Sequence, residues 1–219
     1  HSDHRRQRQM CIRDRGNTEP IEELVLLDAR FGVGPTVAPA RRMEGDITEQ
    51  AVIEEAIGGA ASFSIFHLAS MVSGECEERY DDALRVNLDG GRHIFEAARA
   101  ATGQPRVVFA SSVASFGGED MPTPVGDFTK HTPRTTYGMT KACAELLLAD
   151  YSRRGFVDGR GCRLPSVVCR AGAPNAATTG VYSAVVRETL AGVDTSSPIG
   201  PGVGHAVVGH RPAVDALLT

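Results

Sequence analysis

The sequence predicts an α/β fold, a doubly wound parallel sheet followed by the start of a smaller substrate-binding region. Three observations lead there. Short continuous apolar runs, LVLLD at 24–28 and SFSIFHLA at 62–69, have the pattern of strands covered on both faces. Between such runs, apolar residues recur at helical spacing. Strand and helix alternate along the chain, and that alternation closes as a parallel sheet with right-handed crossovers.

The first strand is expected at Leu24 to Asp28. A helix over 48–58 follows, capped by Thr48, with Val52, Ile53, Ala56 and Ile57 on one face. Residues 62–69 supply the next strand. A single long helix is expected over 81–101, its apolar side carrying Leu84, Leu88, Ile94, Phe95 and Ala98. Residues 107–110 read as a strand, 136–154 as a helix, and 162–170 as a strand interrupted by Pro165. Beyond about Gly172 the pattern gives way to loops rich in Gly, Pro and Ser, and 212–219 reads as the opening of a helix. Residues 1–17 are rich in Arg and Gln without apolar periodicity, so 1–20 is expected to be a non-native or disordered leader. The chain reads as a fragment.

Composition narrows the function classes. A chain of 219 residues, 42% hydrophobic and 23% charged, can bury one good core. The net charge of -4 gives no reason to expect nucleic acid or an anionic membrane as partner. The five cysteines are scattered without a C-x-x-C pair, so neither a disulfide framework nor a zinc site is expected, and a reducing cytoplasm fits. The seven histidines form no metal-binding pair, and no apolar run approaches a membrane span.

The chemistry concentrates in three residues. Tyr137 and Lys141 spell Y-x-x-x-K in a helix-forming stretch, and positions i and i+4 share one face. An ammonium beside a phenol is expected to draw its pKa down from about 10 toward neutrality. Ser112 ends an apolar strand, where its hydroxyl can address the same substrate oxygen. That trio suits removal of a proton from an alcohol while a nicotinamide cofactor takes the hydride. Asp28, at a strand tip, is placed to bind adenosine ribose hydroxyls and disfavour a 2′-phosphate, or else to serve as a turn residue. Asp46 reads equally as an adenine contact, with Ile47 against the ring, or as a helix cap. Leu68, Ala69 and Ser70 close a strand where the backbone can approach a cofactor. His67 reads as a buried structural imidazole. Asn87 is an amide among apolar neighbours and needs partners, most simply on the cofactor side.

Together these residues resemble the extended short-chain dehydrogenase/reductase superfamily, the NAD-dependent epimerases and dehydratases. The resemblance implies a partial Rossmann-like NAD-binding domain over 21–171, lacking the first strand and the glycine-rich loop, and a truncated substrate-binding region over 172–219. It assigns NAD contacts to Asp28, Asp46, Ile47, Leu68, Ala69, Ser70, Asn87, Tyr137, Lys141 and Pro165. It assigns catalysis to Ser112, Tyr137 and Lys141. Gly91 departs from the pattern, since many members carry Thr there. Within the superfamily, segments 71–75, 150–160, 163–165 and 170–177 are similar to sugar-acid dehydrogenases. That likeness implies oxidation of the C2 hydroxyl of a four-carbon sugar acid to a 2-oxo acid. A sugar-acid carboxylate calls for a guanidinium fork, and Arg170 reads equally as that fork or as a strand-end surface charge, with Ser73, Ser112, Tyr137 and Asn175 as the other expected substrate residues. A homodimer through the helix bearing Tyr137 is also implied. Two readings compete, a nucleotide-sugar epimerase and a catalytically inert NAD-binding fragment. Val113 and Ala114, which cannot transfer protons, speak against a sugar-nucleotide dehydratase, and Ser166 in place of the usual Asn speaks against an epimerase.

Overall fold

The computed structural model describes residues 11–14, 17–32, 40–168, 180–196, 199–200 and 202–219. Within the expected leader, β1 (Cys11–Asp14) and β2 (Asn17–Pro20) pair antiparallel. All other strands pair in parallel. β3 (Leu24–Asp28) pairs with β4 (Ala40–Glu44), a strand that its charged sequence, ARRME, concealed. β5 (Ser64–His67), β6 (Arg106–Ser112) and β7 (Asp158–Leu164) form a three-stranded sheet in that order. β8 (Ser166–Val168) pairs with β9 (Val207–Gly209). Pro165 cannot donate to a ladder, and it separates β7 from β8 as expected.

β6 is the centre of the core. Val107, Val108 and Phe109 are all buried, so both faces of the strand are covered. Phe95 meets Phe109 edge to face at 6.2 Å, a favoured aromatic geometry. Ala98, Ala144, Leu148 and Val157 complete the cluster.

Helices differ from expectation in two places. α1 (Gln50–Ile57) begins after Glu49, and Thr48 is not its side-chain cap. The Thr48 hydroxyl instead accepts a hydrogen bond from Arg85 at 3.0 Å, a long-range partner that outcompetes the local one. Its C-terminal end is as the sequence implies: Gly58 adopts φ 61° and returns its N–H to Glu54. The expected helix over 81–101 is continuous, with αR dihedrals across both junctions, but its hydrogen bonding widens over Leu84–Gly90. α2 (Ser73–Glu78) and α3 (Tyr80–Ala83) lead into a π-helical stretch, Leu84–Gly90, and then α4 (Gly91–Ala100). Hydrophobic spacing cannot distinguish an α-turn from a π-turn. Within this stretch Asn87 is tied to the loop after β5 and Gly90 lies close against Ile47. α5 (Thr136–Arg153) starts at Thr135, whose hydroxyl accepts from the Gly138 N–H at 3.0 Å. After the loops, α6 (Gly180–Leu190) and α7 (His210–Leu218) are helices; only the second was foreseen.

Candidate active site

The carboxyl ends of β5 and β6 and the first turns of α5 bring the trio together. Ser112 is the last residue of β6, and its oxygen accepts the Ala114 N–H at 3.1 Å, which turns the chain at once into a short 3-10 segment, Val113–Ser115. α5 then packs its first turn onto that corner. The hydroxyls of Ser112 and of Ser70, at the end of the β5 loop, stand close enough to the Tyr137 phenol to favour its ionised form, while the Ser70 hydroxyl donates to the Met71 carbonyl at 2.9 Å. Lys141, one turn on, lies 5.6 Å from the centre of the Tyr137 ring and 4.9 Å from that of Phe109.

The electrostatics correct one expectation. Burial pushes the Tyr137 phenol up from its ordinary value, and the hydroxyls of Ser112 and Ser70 only partly offset it. Lys141 is not among the groups that offset this burial, so the phenol is not drawn toward neutrality. Lys141 is 3% exposed. Burial lowers its pKa to about 8. Its Nζ donates to the Ala110 carbonyl at 2.9 Å, and among the described residues no carboxylate pairs with it.

Asn87 organises the other wall. Its Oδ1 accepts from the Met71 N–H at 2.7 Å, and its Nδ2 donates to the Met71 carbonyl, the Thr140 hydroxyl and the Cys76 sulfur at 3.3 to 3.4 Å. The amide is 4% exposed and fully used, as a buried amide must be. It joins the loop carrying Ser70 to the helix turn carrying Lys141. On the same π-helical stretch, Arg85 reaches Asp46 at 3.2 Å. The Asp46 carboxyl also accepts from the Thr48 N–H at 2.9 Å, and that backbone bond is the main cause of its lowered pKa. Asp46 therefore has the turn-capping geometry whatever else it binds.

The remaining expected residues are placed as follows. Asp28 is exposed at the tip of β3 and accepts from the Arg30 N–H at 3.2 Å. Ile47 is buried in the core against Gly90. Leu68 and Ala69 are exposed at the end of β5, Leu68 by 56%. Ser73 opens α2, and Pro165 is half-buried after β7. Arg170 and Asn175 lie outside the described residues. His67 is buried between Phe95 and Phe109, with its pKa lowered to about 3 by burial, so it is a neutral core residue. A methyl at Gly91 would stand 3.2 Å from its Nε2, a tight contact.

Sequence reasoning missed a second buried network. Glu145, one turn beyond Lys141, accepts from the Ser111 hydroxyl at 2.7 Å and from Arg163 Nε at 2.8 Å. Arg163 also donates to the Asp127 carbonyl at 3.1 Å, and His131 stands 3.6 Å from the same carboxylate. Burial opposes ionisation of Glu145, but the bonds from Arg163 and Ser111 prevail and hold its carboxyl below the usual range. The network pins β6, β7, α5 and the loop before Tyr137 to one another. Spacing of four from Lys141 was the available signal.

Residues 8–204 match the NAD dependent epimerase/dehydratase family. The chain belongs to this family. It is 44% identical over 203 residues to the D-erythronate dehydrogenase of Cupriavidus necator, covering 93% of this chain and 62% of that protein. To the D-erythronate dehydrogenase of Haemophilus influenzae it is 39% identical, covering 84% of this chain and 58% of that one. The chain thus spans about three-fifths of the length of these relatives. A solved structure described as a nucleoside-diphosphate-sugar epimerase from Agrobacterium tumefaciens superposes with a TM-score of 0.82 at 40% identity, over 91% of this chain and 60% of that one. The family's cofactor is NAD. The site fits its ribose-nicotinamide half, since a buried ammonium with spare donors suits a diol. Among the described residues no glycine-rich strand–turn–helix cradles a pyrophosphate. No helix among them is long and apolar enough to cross a membrane.

Proposed function

We propose that the protein oxidises the C2 hydroxyl of a short sugar acid, of the D-erythronate kind, to the 2-oxo acid with NAD. The observation that carries the chemistry is the convergence of the Ser112 hydroxyl and the Lys141 ammonium on the Tyr137 phenol, the ammonium 5.6 Å from the ring centre. The names of the relatives at 44% and 39% identity support the substrate class. NAD, when bound, would supply the hydride acceptor and a positive charge close to the phenol. Ser112 holds the substrate hydroxyl in place, and Tyr137 Oη, ionised beforehand, takes its proton and becomes a neutral phenol. The positive charge of bound NAD together with the Lys141 ammonium would favour that ionised form against the burial that opposes it, and Lys141 would offer its remaining donors to the cofactor ribose. Asp28 and Asp46 would hold the adenosine end, and Ser73, Arg170 and Asn175 the acid.

A second reading, a nucleotide-sugar epimerase, is favoured by the solved structure of that description at 40% identity. NADH accumulation separates the two. The expected result is NADH formed with D-erythronate and none with UDP-glucose, and Tyr137→Phe should abolish it. Turnover of UDP-glucose without net NADH would sink the sugar-acid reading.

A further inference from the structure

Ser166, Tyr182 and His205 come together outside the trio, from three separate segments. Ser166 Oγ and His205 Nε2 are 2.6 Å apart. The His205 and Tyr182 rings stack at 4.6 Å with an interplanar angle of 11°. The backbone of Ser166 also donates to the Ala206 carbonyl at 3.1 Å, so the segment carrying His205 is fastened to β8 twice.

The sheet register locates this cluster. Leu164 is the parallel partner of Ser112. Ser166 lies two residues further in the same direction, roughly 6 to 7 Å along the chain at strand spacing. The cluster therefore stands beyond the carboxyl end of β7, the strand paired with the one that ends in Ser112. Ser166 itself is buried, whereas His205 is exposed. Its imidazole is clamped on its face by a phenol and at Nε2 by a hydroxyl, so Nδ1 is the ring nitrogen left for a further partner. A rigid, exposed, hydrogen-bonding ring is a preorganised contact.

We propose that His205, held by Ser166 and Tyr182, hydrogen-bonds the C3 or C4 hydroxyl of the sugar acid and so selects polyhydroxy acids over simple 2-hydroxy acids. This rests on the sugar-acid reading above. A hydroxyl at C3 or C4 finds a partner only in such a ligand, and its loss should cost about tenfold in affinity, the scale of one exposed hydrogen bond.

The test is nuclear magnetic resonance of the 219-residue chain with labelled histidine and tyrosine rings, His205 and Tyr137 being assigned from H205N and Y137F. D-erythronate, 2-hydroxybutanoate and UDP-glucose are titrated in turn. D-erythronate should shift both rings saturably, and 2-hydroxybutanoate only Tyr137. His205→Ala and His205→Asn should weaken D-erythronate about tenfold and leave 2-hydroxybutanoate unchanged. Shifts at Tyr137 without His205 on adding D-erythronate overturn this proposal alone, as does equal weakening of both acids in the variants. Shifts with UDP-glucose and none with either acid overturn the proposal together with the reading beneath it.

Discussion

Gly138 and the carbonyl of Ala114 are in such close approach that a methyl group on Gly138 would stand 2.0 Å from the Ala114 oxygen. The first turn of α5 is thereby seated on the corner that follows Ser112, and that seating puts Tyr137 opposite the serine. Gly138→Ala must force the two segments apart. We expect a loss of about 1–3 kcal/mol in stability, as for overpacking elsewhere, measured by urea unfolding. Uncoupling of Ser112 from Tyr137 should cost more activity than that loss explains. An unchanged variant would show that the corner yields freely.

Lys141 has a pKa of about 8 in the fold against an ordinary 10.5. Between those values the unfolded chain holds a proton that the folded chain has released, so stability rises with pH across that window. Below pH 8 the buried charge is present and costs stability in full. Lys141→Met should therefore stabilise the protein at pH 7, by up to about 3 kcal/mol, and flatten the rise between pH 8 and 10.5 while abolishing turnover. Thermal melts across that range decide it, and a destabilised methionine variant at pH 7 would contradict the burial cost.

Asn87→Ala leaves the Met71 N–H and the Thr140 hydroxyl without their buried partner. The expected cost is about 1–3 kcal/mol by urea unfolding. Because Met71 follows Ser70, the tyrosine ring resonance of Tyr137 should move as well. A silent Tyr137 would separate Asn87 from the site.

Glu145→Ala removes the carboxylate that Arg163 and Ser111 bond, a loss of about 1.5–3 kcal/mol for charge-assisted hydrogen bonds in a half-buried pair. The folded carboxyl titrates below the ordinary 4.5, so its contribution is complete above that value and fades as pH falls through the lowered one. Acid unfolding of the parent should steepen below pH 4.5 and that of the variant should not. Hydrogen exchange in 116–135 should rise in the variant, since Arg163 holds the Asp127 carbonyl.

The alternation of elements is written locally in the chain, because a buried strand and an amphipathic helix each leave a short-range pattern. LVLLD became β3 and TYGMTKACAELLLADYSR became α5 with little revision. The pairing of Tyr137 with Lys141 was legible for the same reason, being one helical turn long. What joins distant segments is set by packing. The buried amide of Asn87 finds its partners at Met71 and Thr140, the anchoring of Glu145 depends on Arg163, and the clamp on His205 depends on Ser166 and Tyr182. Packing also reversed the expected direction of the Tyr137 pKa, since how far a charge is desolvated depends on everything packed around it, and no short stretch of sequence records that.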